Sequence, residues 1–108
     1  MVAGHAEYLG LVPGLGRKDP ILMKDKAGAR WARMIEEGKL KSDVFSEFIH
    51  DVTGNKPRIK NKKFSQTVWD GIIDAAEAHN QPGKFTAIIG YEYSPFPNGN
   101  NLHRVVVF

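Results

Sequence analysis

The sequence predicts an α+β fold in which about three helices precede a C-terminal antiparallel β-hairpin. Apolar residues recur at helical spacing in three segments before residue 80. β-forming residues concentrate after residue 84, in two stretches separated by a segment rich in Pro, Gly and Asn. A length of 108 residues suits one domain, so residues 1–108 are expected to form a single domain that is part of a larger fold.

Three segments have the pattern of amphipathic helices. The first is predicted to run from about Lys26 to Glu37, and the third from about Ser65 to His79. The second is predicted from about Asp43 to Val52, with Ser42 as its N-cap. The residues expected in the core are Trp31, Phe45, Phe48, Val68, Trp69, Ile72 and Ile89.

Two stretches are predicted to be loops. Residues 10–25 contain a high density of glycine and proline, which disfavours regular structure. Residues 54–64 include a run of basic side chains. The members of this run are Lys56, Arg58, Lys60, Lys62 and Lys63. We expect a solvated loop here rather than a nucleic-acid site, because no aromatic ladder or recognition helix accompanies the charges.

The C-terminal segment has the pattern of a hairpin. Phe85–Tyr93 and Leu102–Phe108 are rich in β-formers, and turn-forming residues lie between them. If Glu92 lies directly opposite His103, the two side chains point to the same face of the sheet. A carboxylate and an imidazole placed in this way can share a zinc, manganese or iron ion. A cross-strand ion pair is the alternative, and spacing alone favours it.

Composition excludes several classes of site. The chain has no cysteine, so disulfides and thiolate metal sites are excluded. The apolar runs are too short to span a membrane, and the first residues do not resemble a signal peptide. The segment from Gly14 to Lys18 lacks the ending of a phosphate-binding loop. Localisation stays open between cytoplasm and periplasm.

Four short pieces carry a family resemblance. They are His5-Ala-Glu-Tyr-Leu-Gly, Pro82-Gly-Lys-Phe-Thr, Gly90-Tyr-Glu-Tyr-Ser and Asn100-Asn-Leu-His-Arg-Val-Val-Val-Phe, in this order. Together they resemble an internal stretch of the bacterial domain-of-unknown-function 3604 family, which is similar to the polymerase-and-histidinol-phosphatase (PHP) metallohydrolases. The resemblance implies part of a distorted β/α barrel with metal ligands at the C-terminal ends of its strands. It marks His5 and Glu92 as metal-ligand positions, and His103 less directly. Gly4 stands where the motif has Asp.

The expected function follows from this resemblance. We expect a truncated piece of a PHP-like, metal-dependent phosphoesterase-type hydrolase, inactive alone because it supplies too few ligands. A divalent metal is expected to be weakly held by His5, Glu92 and His103. The alternative is a small non-enzymatic module that self-associates or binds a partner. A homodimer is expected in either case, because an uncovered sheet edge favours pairing with a second chain.

Overall fold

The computed structural model describes residues 3–108. Its elements, in chain order, are α1 (Leu11–Gly16), α2 (Pro20–Met23), α3 (Lys26–Glu36), a π-helical turn (Leu40–Val44), α4 (Phe45–Thr53), α5 (Lys62–His79), β1 (Gly90–Tyr93), a 3-10 turn (Pro97–Gly99) and β2 (Arg104–Val107). The α+β fold and the C-terminal hairpin are therefore confirmed. The chain divides into two compact units. The helical unit is Gly10–Phe64, and the hairpin unit comprises residues 3–9 together with Ser65–Phe108. The single domain expected from the length stays a prediction.

The core of the helical unit forms around α3. Asp25 caps this helix, since its Oδ1 accepts hydrogen bonds from the backbone N–H groups of Ala27 and Gly28 at 2.8 and 3.0 Å. The helix begins at Lys26 as predicted and ends one residue before the predicted end. The apolar side chains buried in this unit are Leu11, Leu15, Leu22, Trp31, Ala32, Val44, Ile59 and Phe64. Trp31 is therefore a core residue, as predicted.

The predicted loop over residues 10–25 is wrong where α1 and α2 form. Leu11 and Leu15 lie one helical turn apart and are both buried, so packing outweighs the weak helix propensity of the neighbouring glycines. Proline is tolerated at the first position of α2, and the Asp19 carboxylate accepts from the backbone N–H of Ile21 at 2.8 Å. Gly14 is buried inside α1, so the structure has no phosphate-type loop at this position. In the other predicted loop, residues 54–64, α5 already begins at Lys62.

The second predicted helix begins differently from the prediction. Leu40–Val44 forms a π-helical turn, and α4 starts only at Phe45. Ser42 is therefore not the N-cap, and its hydroxyl donates to the neighbouring Asp43 carboxylate at 2.6 Å. Placing Phe45 in the core is also wrong, because this residue is 55% exposed and stacks on Phe48. The other predicted core residues are half-buried, namely Phe48, Val68, Trp69, Ile72 and Ile89.

The hairpin unit combines α5 with β1 and β2. The two strands pair antiparallel, and Glu92 lies opposite Val105, not opposite His103. The predicted register is thus wrong by two residues, but a two-residue shift leaves every side chain on the same face. Trp69 of α5 packs edge-on against Tyr91 of β1 and Phe108, with ring centroids 5.9 and 5.8 Å apart.

Candidate functional site

The hairpin unit brings the three predicted site residues together. The segment around His5 pairs in parallel with β1, because the Ala6 N–H donates to the Glu92 carbonyl at 2.7 Å and the Glu92 N–H donates to the Gly4 carbonyl at 2.8 Å. This pairing sets the His5 side chain beside that of Glu92. His103 lies just before β2. One possible ligand atom from each of His5, Glu92 and His103 lies within 4.8 Å of the others.

Direct contacts connect the three side chains. His103 Nδ1 is 2.5 Å from Glu92 Oε1, a hydrogen bond in which the imidazole N–H donates to the carboxylate. The second carboxylate oxygen, Oε2, lies 3.7 Å from His5 Nε2. The two imidazole rings meet edge to face, with centroids 5.6 Å apart. The predicted Glu–His pair therefore forms across the hairpin, although along a diagonal.

Two further residues belong to this polar cluster, and the sequence analysis did not identify them. The Ser94 hydroxyl lies 2.8 Å from His5 Nδ1 and 3.3 Å from His103 Nδ1. Glu7 accepts a hydrogen bond from the Ser94 backbone N–H at 3.0 Å. A signal for Ser94 exists in the sequence, because it follows Glu92 by two positions and residues at this spacing share a face in extended chain. Glu7 lies in the turn after His5, so no such period predicts its position.

The donor set of this cluster suits a divalent cation. Two imidazoles and a carboxylate are ligands that zinc, manganese and iron accept. The His5 and His103 side chains are 55% and 49% exposed, so an ion can reach them from solvent. The carboxylate of Glu92 is only 22% exposed and is oriented by both rings. The residues present therefore fit a metal, with Glu92 at the centre.

The remaining histidines lie outside the cluster. His79 is in the last turn of α5, where its Nδ1 lies 2.8 Å from the Ala75 carbonyl. His50 lies on α4, in the helical unit. Within the basic run, Arg58 binds the buried carboxylate of Asp51 at 2.7 Å. At least this member of the run has a structural partner and is not a solvated loop charge.

Comparison with known proteins identifies the family. The family model described as "Protein of unknown function (DUF3604)" matches residues 1–108. The chain therefore belongs to the DUF3604 family. No curated protein and no solved structure matches it. Among residues 3–108, no helix is both long enough and apolar enough to cross a membrane.

Proposed function

We propose that this chain supplies part of the metal site of a PHP-like, metal-dependent hydrolase that acts on phosphoester-type substrates. The observation that carries the proposal is the convergence of His5, Glu92 and His103 within 4.8 Å. The PHP-like resemblance in sequence supports it, because the motifs that carry this resemblance include the same three residues. The parallel pairing of the His5 segment with β1 also agrees with strands of a β/α barrel, whose ligands come from neighbouring parallel strands.

Each residue has a defined part in this proposal. Glu92 binds the cation through its carboxylate, and His5 and His103 each supply one imidazole nitrogen. For His103 to bind through Nδ1, its hydrogen bond to Glu92 must open, because 2.5 Å is too short for two atoms that ligate one ion. A bound cation in such a site polarises a phosphoryl oxygen and lowers the pKa of water.

Little hydrolysis is expected from this chain alone. Three protein ligands and a water molecule are the usual set for one catalytic zinc, so these side chains would hold at most a single ion. The PHP-like cluster implied by the resemblance holds two or three ions and needs more ligands than these three side chains. We therefore propose weak, chelator-sensitive binding of zinc or manganese.

Isothermal titration calorimetry with zinc and with manganese tests the site. We expect binding that the Glu92→Ala and His103→Ala variants abolish. His79→Ala is the matched control, since His79 is an exposed histidine in the same unit outside the cluster. Equal binding by wild type and Glu92→Ala would contradict the metal site. Tight stoichiometric binding, with phosphoester turnover abolished by Glu92→Ala, would contradict the inactivity of the isolated chain.

A non-enzymatic, self-associating module is the second candidate. The observation that favours it is the apolar surface of β2 and the residue after it, where Val105, Val107 and Phe108 are 56%, 53% and 77% exposed. Within residues 3–108, β2 pairs with β1 alone, so its other edge is open to a second strand. A symmetric dimer through this edge would bury those side chains.

A further inference from the structure

Glu7 has a carboxylate oxygen that the fold buries without a hydrogen-bond donor. Its Oε1 accepts from the Ser94 backbone N–H at 3.0 Å. Its Oε2 is shielded from solvent, and no hydrogen-bond partner for it exists among residues 3–108. Burying an ionised oxygen in this way is unfavourable unless a positive charge or a polarised N–H lies nearby. The His5 ring lies nearby, with its Nδ1 3.9 Å from Oε2.

The position of Oε2 bears on which nitrogen of His5 carries the proton. The Ser94 hydroxyl, 2.8 Å from Nδ1, can either donate or accept, so it is compatible with both tautomers. A carboxylate can only accept, and its negative charge favours a proton on the nitrogen that faces it. At 3.9 Å the interaction is electrostatic and is not a direct hydrogen bond. This interaction favours a proton on Nδ1. The Glu92 carboxylate, whose Oε2 is 3.7 Å from Nε2, has the opposite effect, but it already accepts a hydrogen bond from His103. Glu7 Oε2 is the oxygen that is buried without a donor among residues 3–108, so the balance favours the tautomer with Nδ1–H and with the lone pair on Nε2.

The other ring nitrogen of His5 faces the proposed cation position. Nε2 lies 3.7 Å from Glu92 Oε2, on the side of the ring away from the Ser94 hydroxyl. A histidine that binds a metal through one nitrogen commonly donates its other N–H to an acceptor that fixes the ring. The Ser94 hydroxyl offers such an acceptor at 2.8 Å from Nδ1, and the Glu7 carboxylate adds its negative charge on the same side of the ring.

We propose that Glu7 is a positioning residue that keeps the His5 proton on Nδ1, so that Nε2 is presented beside Glu92 to a divalent cation. The role of the cation rests on the proposed function. The tautomer is a property of the metal-free protein, so it can be measured whether or not an ion binds.

The test uses Glu7→Gln in the full chain. The Gln oxygen can still accept from the Ser94 N–H, while its amide NH2 replaces the buried oxygen with a donor. We expect long-range ¹⁵N–¹H spectra at alkaline pH to show Nδ1–H for His5 in wild type and a shift to Nε2–H in Glu7→Gln. Zinc affinity measured by calorimetry should fall about 10- to 100-fold in this variant.

Two further variants make the outcome decisive. Glu77→Gln is the matched control, since Glu77 is an exposed glutamate on α5, and it should change neither readout. Ser94→Ala should keep the Nδ1–H tautomer if Glu7 sets it.

A wild type with Nε2–H, or a Glu7→Gln variant that keeps Nδ1–H, overturns the proposal. If Glu7→Gln fails to fold, the wild-type and Ser94→Ala spectra decide in the same way, with Nε2–H in either one overturning it. If neither wild type nor any variant binds zinc while the tautomers are as expected, the proposed metal-binding function is refuted. The effect of Glu7 on the His5 tautomer then still stands.

Discussion

Glu47 is held in its ionised form by three side chains of the helical unit. Arg30 donates to both of its carboxylate oxygens, and Trp31 Nε1 donates to Oε2 at 2.7 Å. Arg58 pairs with the same oxygen and lies over the Trp31 ring, with its Cζ 5.3 Å from the ring centroid. The hydrogen bonds from Arg30, helped by Trp31 and by the charge of Arg58, lower the pKa of Glu47 from 4.5 to about 2, although burial opposes this shift.

The lowered pKa of Glu47 predicts a pH-dependent contribution to stability. Because the folded-state pKa lies below the unfolded value, the stabilisation is complete above about pH 4.5 and is lost as the pH falls toward about 2. Replacing Glu47 by Gln should therefore lower the free energy of unfolding by about 1 to 3 kcal/mol at neutral pH, a range reduced for partial exposure. The difference between variant and wild type should shrink as the pH falls through that window. Urea unfolding followed by circular dichroism at several pH values measures the loss of stability at neutral pH and its decrease at low pH.

Glu36→Gln is the control for this experiment. Glu36 pairs with Lys18 at 2.6 Å, but both side chains are more than half exposed. An exposed pair of this kind contributes about 0 to 1 kcal/mol. A Glu47→Gln penalty that is the same at pH 7 and at pH 3 would contradict the assignment of the low pKa.

At the scale of elements, the packing of α2 on α3 depends on a glycine. A Cβ added to Gly28 would lie 2.3 Å from the backbone carbonyl oxygen of Leu22, and backbone cannot move aside as a flexible side chain can. This close approach brings α3 against α2 and supports the burial of Leu22 and Trp31. Gly28 is therefore required because α2 packs closely against it, and not because its backbone adopts an unusual angle.

Glycine replacements should have opposite effects in α3 and α5. Gly28→Ala should destabilise the protein by about 1 to 3 kcal/mol, because α2 and α3 must separate. Gly71 lies in α5, and a Cβ there meets nothing within 4 Å. Gly71→Ala should stabilise the protein by about 0.5 to 1 kcal/mol through helix propensity. Thermal unfolding of the two variants beside wild type is the measurement, and a Gly28→Ala variant as stable as wild type would refute the close packing.

At the scale of the whole molecule, the open apolar edge of β2 predicts self-association. A lysine at an edge position opposes pairing with a second strand. We expect wild type to form a dimer in light scattering, and the double variant Val105→Lys/Val107→Lys to shift toward monomer. Ala78→Lys, on an exposed position of α5, adds the same type of charge and should leave the dimer unchanged. A wild type that stays monomeric at high concentration would rule out the dimer.

Local pattern predicted most elements of this DUF3604 chain, and the family resemblance marked the candidate ligand positions. The spacing of apolar residues predicted α3, α4 and α5, and β-forming residues around a turn segment predicted the hairpin. The prediction from local sequence failed where packing outweighed helix propensity. In α1, glycines predicted a loop, but they lie among buried leucines and the segment is helical. His5, Glu92 and His103 were identified from motifs, and their role as metal ligands stays a proposal.

By itself, the sequence marked His5, Glu92 and His103 through the family resemblance, and a period of two places Glu92 on the same strand face as Ser94 whatever the exact register. Only the tertiary structure decided that Glu7 and Ser94 meet these residues. His5 and Ser94 are 89 positions apart in the chain, and their contact depends on the parallel pairing of the N-terminal segment with β1. Pairing over such a separation is set by the packing of the folded chain and not by local preference, so the burial of the Glu7 oxygen could not be predicted from the sequence.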